Sequence, residues 1–109
     1  MTNAIELNDL NFETEVKKSS VPVLVDFFAT WCSPCRQQMP IVEGLAEDFL
    51  GKIKIGKLNV DGNNRTTSEF TITSIPTLMV FKDGKVVENL EGLNSKQQLT
   101  SVLNKYLHQ

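Results

Sequence analysis

The chain has 109 residues, of which 40% are hydrophobic, and a net charge of −2 at pH 7. This length suits a single domain over residues 1–109, and the apolar content is sufficient for a packed core. The charges are interspersed, so no basic patch predicts a nucleic-acid partner, and no run of about 18 apolar residues predicts a membrane span. Residues 1–10 have neither a basic start nor an apolar signal core, and we expect a cytoplasmic protein.

Hydrophobic periodicity predicts nine elements along the chain. The predicted strands and helices, in chain order, cover residues 4–7, 12–18, 23–29, 32–49, 53–60, 64–70, 77–81, 86–90 and a last helix that begins at Ser95. The strand at 23–29 is apolar on both faces, as expected for a central strand. Gly51 is expected to cap the C-terminus of the helix at 32–49, and one face of this helix carries an apolar stripe at Val42, Leu45, Ala46 and Phe49.

Local signals support this assignment of elements. Asn11 is placed to cap the first helix, and Ser95 is placed to cap the last one. Pro40 removes one backbone hydrogen bond inside the long helix, so we expect a kink there. Asp83-Gly84 stands between two apolar runs and predicts a hairpin. The order of the elements predicts a three-layer α/β/α sandwich.

Both cysteines stand in one short motif, Trp31-Cys32-Ser33-Pro34-Cys35, where the central strand ends and the long helix begins. A cysteine at a helix N-terminus faces unpaired N–H groups and the positive end of the helix dipole, which favour the nucleophilic thiolate. Residues i and i+3 of a helix lie about 5–6 Å apart at Cβ, and a disulfide needs about 3.5–4.5 Å, so a small ring can close and reopen with modest local adjustment. The motif predicts a reversible redox site.

Two other interpretations of the cysteine pair are less favourable. A structural disulfide would close a very short loop, which stabilises a fold least, and a cytosolic setting keeps structural thiols reduced. A zinc site needs two further ligands, and the only histidine is His108, beside the C-terminus. The sequence therefore favours redox chemistry without a bound metal.

Asp26 lies inside the apolar strand at 23–29, where neither face is expected to be solvated. Burial of an ionised carboxylate is costly unless the group is paired, so we expect the pKa of Asp26 to be raised. Lys57, in the neighbouring predicted strand, is its expected partner. A structural charge at a partly wet strand end is the alternative.

The chain resembles the thioredoxin family in the order and spacing of residues over nearly its whole length. The matching residues are Val25-Asp26-Phe27, Ala29, Trp31-Cys32-x-Pro34-Cys35, Pro40, Lys57-Leu58-Asn59-Val60-Asp61, Ile75-Pro76-Thr77, Phe81-Lys82-Asp83-Gly84 and Gly92. The resemblance implies a thioredoxin fold, with a mixed five-stranded central sheet and four helices. It also implies reduction of protein disulfides, in which Cys32 attacks, Cys35 resolves the mixed disulfide, and Asp26, beside Lys57, moves the Cys35 proton through water.

The Ile75-Pro76 bond is expected to be trans, within a turn, from the residues alone. The resemblance instead implies a cis-Pro76 against the disulfide, with the Ile75 backbone pairing with an extended substrate strand. The substrate-binding residues implied in this way are Trp31, Ser33, Pro34, Val60, Ser74, Ile75, Pro76, Gly92 and Leu93. Ordinary core packing is the alternative for Val60 and Leu93.

Four positions depart from the family pattern: Phe28, Ser33, Ser74 and Glu91. Ser33 replaces a common glycine between the cysteines, so an oxidant or disulfide isomerase of the same fold stays open. Glu91 stands where the family often has an apolar residue, and we expect it to repel acidic substrates. A binding module that uses redox chemistry only as a switch is the rival from another class.

The resemblance implies that no cofactor is bound. Electrons would come from NADPH through a flavin-dependent thioredoxin reductase, with a ferredoxin-linked reductase as the alternative. The implied substrates include ribonucleotide reductase, peroxiredoxins and sulfoxide reductases, and we expect the protein to be a monomer.

Overall fold

In the computed structural model, which describes residues 2–107, five strands form one sheet. They are β1 (Ile5–Leu7), β2 (Val23–Phe28), β3 (Lys54–Asn59), β4 (Thr77–Lys82) and β5 (Lys85–Glu91). Their order across the sheet is β1-β3-β2-β4-β5, with β1, β3 and β2 parallel and the β2–β4 and β4–β5 pairs antiparallel. The predicted mixed five-stranded sheet is confirmed, and the apolar segment at 23–29 supplies its central strand.

Helical segments cover both faces of the sheet among the described residues. They are a π-helical turn (Glu13–Lys17), α1 (Ser33–Asp48), α2 (Asn64–Glu69) and α3 (Lys96–Asn104). Within residues 2–107, none of the helices has both the length and the apolar character that crossing a bilayer requires. The predicted three-layer sandwich with four helical segments is confirmed.

Alternating side chains of β2 divide between the two layers of the core, because successive strand residues point to opposite faces. Leu24 packs with Leu45 of α1 and Leu99 of α3 on one face. Val25 and Phe27 pack on the other face, in the layer that contains the π-helical turn. Asp26 shares the face of Leu24 and therefore lies under α1.

Two of the predicted helix caps need correction. Asn11 does not cap the first helical segment, because its Oδ1 accepts the Asn8 N–H at 2.8 Å and closes a preceding turn. Helix α1 ends at Asp48 with Phe49 as the capping residue, and Gly51 follows two residues later with a φ of +82°. Ser95 was placed correctly, since its hydroxyl accepts the Gln98 N–H at 3.1 Å.

Gln38 joins α1 to the loop that follows β5. Its side chain is fully buried, its Nε2 donates to the Asn94 carbonyl at 3.0 Å, and its Oε1 accepts the Asn94 N–H at 2.8 Å. Asn94 in turn donates through Nδ2 to the Gly92 carbonyl at 2.9 Å. These three hydrogen bonds hold the segment 92–94 against the helix that begins at the cysteine motif.

The substitution Gln38→Leu keeps a side chain of similar size but leaves the buried Asn94 N–H and C=O without their hydrogen-bond partners. We expect the free energy of unfolding, measured by urea denaturation, to fall by about 2–5 kcal/mol. Gln37→Leu is the matched control, because Gln37 is exposed on the same turn of helix, and its effect should stay within about 0.5 kcal/mol. Equal effects of the two substitutions would contradict this account of Gln38.

Candidate active site

The two cysteines lie at the junction between β2 and α1 and are joined by a disulfide. Cys32 is the N-cap residue of α1, and its sulfur accepts the Cys35 N–H at 3.3 Å. The Cα atoms are 5.2 Å apart, within the usual range for a disulfide. Cys32 is 6% exposed and Cys35 is 1% exposed, so the first sulfur is the more accessible of the two.

The loop before β4 contacts the disulfide directly. The Ile75–Pro76 peptide bond is cis, as the family resemblance implied and against the trans turn expected from the residues alone. The Ile75 carbonyl oxygen lies 3.8 Å from the Cys32 sulfur. Gly92 donates its N–H to the Pro76 carbonyl at 2.8 Å and has a φ of +81°, a conformation that favours glycine.

The remaining residues predicted for the substrate groove differ in their exposure. Trp31 is 67% exposed and Leu93 is 48% exposed, whereas Val60 and Ile75 are half-buried and pack against Ala29 and the cysteines. Val60 thus both packs and borders the site. Ser33, Pro34 and Ser74 are exposed. The structure places Leu93 at the surface rather than in the core.

Asp26 is fully buried, and neither of its carboxyl oxygens makes a hydrogen bond to any other residue described in the structure. Burial disfavours the charged form and raises the pKa of Asp26 from 3.8 to about 7, while the positive charge of Lys57 acts in the opposite direction. Lys57 stands opposite Asp26 in the β2–β3 register. The expected rise in pKa is therefore present.

The prediction that Lys57 pairs directly with Asp26 is wrong. The Lys57 Nζ lies 3.4 Å from the Glu43 Oε2 of α1, and Asp26 has no such contact. Glu43 is only half-buried, so a lysine can pair with it without the full desolvation that contact with Asp26 would require. Lys57 consequently acts on Asp26 through space.

An apolar pocket of about 230 Å³ borders the deeper cysteine, lined by Phe28, Ala29, Thr30, Cys35, Arg36 and Met39. Phe28, one of the departures from the family pattern, forms one wall of it. In the described part of the chain, no three His, Cys, Asp or Glu side chains group together as metal ligands. His108, weighed above as a ligand, lies outside the described residues.

Sequence reasoning missed two acidic residues next to the site. Glu43 holds Lys57, and Asp61 accepts the Trp31 Nε1–H at 2.8 Å through its Oδ2. Asp61 directly follows the strand-end segment 57–60, so its place beside the cysteine motif follows from the parallel β2–β3 pairing. Glu43 follows the stripe residue Val42 in the sequence, but nothing in the sequence indicates that Lys57 prefers it to Asp26.

The raised pKa of Asp26 makes the stability of the fold depend on pH. Below about pH 4 the folded and unfolded chains both hold the proton, and above about pH 7 both have lost it. Between these limits the unfolded chain binds fewer protons, so the free energy of unfolding falls as the pH rises. Asp26→Asn removes this pH-dependent loss of stability. The free energy of unfolding of the variant minus that of the wild type should therefore increase by on the order of 4 kcal/mol from pH 4 to pH 8. Denaturation curves that differ by a constant amount at every pH would contradict the buried-acid assignment.

Glu43→Gln should lower the pKa of Asp26, because the variant loses the ion pair with Lys57 and frees that ammonium group to approach the buried carboxylate. Lys57→Met should raise that pKa, since it removes the positive charge. Both values are measurable by following the Asp26 carboxyl carbon by NMR during a pH titration of the oxidised protein. Glu47→Gln, an exposed position on the same helix, is the control and should leave the Asp26 titration in place. An Asp26 pKa that rises or stays constant in Glu43→Gln would refute the role of Glu43.

The chain matches the family model described as Thioredoxin over residues 3–105. It is 42% identical to a thioredoxin of Haemophilus influenzae and 45% identical to a thioredoxin of Synechocystis sp., in each case over 98% of this chain and 100% of the relative. It is also 46% identical, with the same coverage, to a protein named Thioredoxin 1 of Nostoc sp.. The cysteine pair, the sheet order and these matches agree, and the chain belongs to the thioredoxin family: it reduces protein disulfides by dithiol–disulfide exchange through its own cysteine pair, with a thioredoxin reductase and disulfide-containing proteins as partners.

Proposed function

We propose that Cys32 is the attacking thiolate and Cys35 the resolving thiol of this disulfide reductase. The observation that carries the assignment is the position of Cys32 at the N-cap of α1, with 6% exposure against 1% for Cys35. Unpaired N–H groups and the helix dipole stabilise a thiolate at that position. An accessible sulfur is also required for contact with the disulfide of another protein.

The reaction starts from the reduced protein. The Cys32 thiolate attacks one sulfur of the substrate disulfide, and the other substrate sulfur leaves and takes up a proton. The Cys35 thiol then loses its proton and attacks the Cys32 sulfur, which releases the second substrate sulfur as a thiol. The substrate gains two electrons and two protons, and the protein is left with the Cys32–Cys35 disulfide.

We propose that Asp26 accepts, through water, the proton that Cys35 loses. A group with a pKa of about 7 is ionised often enough at neutral pH to accept a proton and gives it up readily afterwards. Lys57 keeps the pKa of Asp26 from rising further. The buried carboxylate without hydrogen-bond partners supports this role, because such a costly group near a thiol pair is typical of a functional site.

The substrate is proposed to lie along the surface beside the disulfide and to pair with the backbone of Ile75 as an added strand. Pro76 has no N–H donor that would compete with the substrate for hydrogen bonds, and Gly92 has no side chain that would block the approach of the substrate backbone. The apolar contacts would come from Trp31, Val60 and Leu93. Ser33, Pro34 and Ser74 complete the proposed binding surface.

We further propose that the protein acts as a monomer, with residues 1–109 as one thioredoxin domain, in the cytoplasm. Its electrons would come from NADPH through a flavin-dependent thioredoxin reductase. Ribonucleotide reductase, peroxiredoxins and sulfoxide reductases are the proposed classes of substrate. The family membership and the exposed apolar residues beside the disulfide support a broad range of protein partners.

Cys35→Ser blocks the second step and should accumulate a mixed disulfide between Cys32 and the substrate. The adduct is measurable by non-reducing electrophoresis and by intact mass after incubation of the reduced variant with a disulfide-containing protein. Cys32→Ser is the matched control, because it also removes one sulfur but should form no adduct at the less exposed position. Absence of adducts on Cys35→Ser, or equal amounts of adduct on both variants, would contradict the roles assigned to the two cysteines.

A further inference from the structure

We propose that the Ser74–Glu91 pair makes this reductase prefer disulfides flanked by lysine or arginine. The inference rests on the substrate groove proposed above and names the class of substrate that the groove selects. Both residues are departures from the family pattern, and they contact each other: the Ser74 hydroxyl donates to the Glu91 Oε1 at 3.0 Å.

This hydrogen bond joins the two chain segments beside the disulfide. Ser74 directly precedes Ile75, whose carbonyl oxygen lies 3.8 Å from the Cys32 sulfur. Glu91 ends β5 and is followed by Gly92, which donates to the Pro76 carbonyl at 2.8 Å. A substrate strand paired with Ile75 therefore passes next to the Glu91 carboxylate.

The charge of Glu91 is available to a partner. Glu91 is exposed, and among residues 2–107 the ion pairs of Lys and Arg with acidic side chains involve other acids: Glu15, Glu43, Asp48, Glu69 and Glu88. The hydrogen bond from Ser74 positions the carboxylate without neutralising it. Because this hydrogen bond already orders the Glu91 side chain, less side-chain entropy is lost when a cation binds to the carboxylate.

The other charges near the cysteine motif leave the site acidic. Asp61 lies by Trp31 and accepts its indole N–H. Arg36, in the first turn of α1, donates from its guanidinium to the Thr30 carbonyl at 2.9 Å and keeps its positive charge, so the two carboxylates of Asp61 and Glu91 stand against this one cation. A basic side chain next to the target disulfide would gain attraction at Glu91, and an acidic one would be repelled.

The test uses three synthetic peptides that each contain one intramolecular disulfide and differ only in the residues on both sides of it, which are Lys, Gln or Glu. The reduced protein is mixed with each peptide in a single turnover at low salt, and the second-order rate constant of peptide reduction is measured. We expect the Lys peptide to react about fivefold faster than the Glu peptide, with Gln between them. This ratio should fall below about twofold in Glu91→Gln, and also for the wild type at about 1 M salt, where the Debye length is about 3 Å.

Glu6→Gln is the matched control, because Glu6 is an exposed strand residue on β1, at the opposite edge of the sheet, and it should keep the wild-type ratio. Ser74→Ala keeps the charge but releases the carboxylate, and its ratio should lie between those of the wild type and Glu91→Gln. Equal rates for the three peptides, or a full ratio in Glu91→Gln, would overturn the inference. Failure of the wild type to reduce any peptide would instead overturn the proposed function.

Discussion

The hydrogen bond from the Cys35 N–H to the Cys32 sulfur is the interaction on which the active site depends. It makes the first cysteine the cap of α1, so the same contact starts the helix and places the sulfur at the positive end of the helix dipole. Strand β2 determines where this happens, because it is the central strand and both of its faces are covered. The end of a buried strand thus becomes the start of a reactive helix.

The same strand carries the least favourable group of the fold. Asp26 occupies a position that packing would assign to a leucine, and its oxygens have no hydrogen-bond partners among the described residues. Lys57 moderates the pKa of Asp26 from the next strand, while Glu43 draws the ammonium group toward solvent. The protein therefore gives up stability at neutral pH for an acid that can exchange a proton in the physiological range.

Much of this architecture could be predicted from the sequence. The unbroken apolar run of β2 and the stripe of α1 defined the core, and the positions of both cysteines at the helix start followed from them. Asn11 was misassigned because Asn8 precedes it by one turn and the two asparagines bond to each other instead. The cis-Pro76 required the family resemblance, since residue preferences alone favour the trans form.

Side-chain pairing was the least predictable feature. Lys57 has a long, flexible side chain, and the choice between Asp26 and Glu43 depends on the cost of desolvation rather than on distance along the chain. Gln38 was missed although the sequence carries a signal for it. It lies three residues after Cys35 and four before Val42, so it occupies the buried stripe of α1, where a glutamine requires polar partners.

The reduction potential of the Cys32–Cys35 pair tests the central claim most directly. The protein is equilibrated in graded dithiol–disulfide buffers, free thiols are trapped by alkylation, and the adducts are counted by mass. A general disulfide reductase should have a potential more negative than about −230 mV, below the range of glutaredoxins. A potential near about −180 mV, the value of disulfide isomerases, would mean that this protein is an oxidant or isomerase and that electrons flow in the opposite direction.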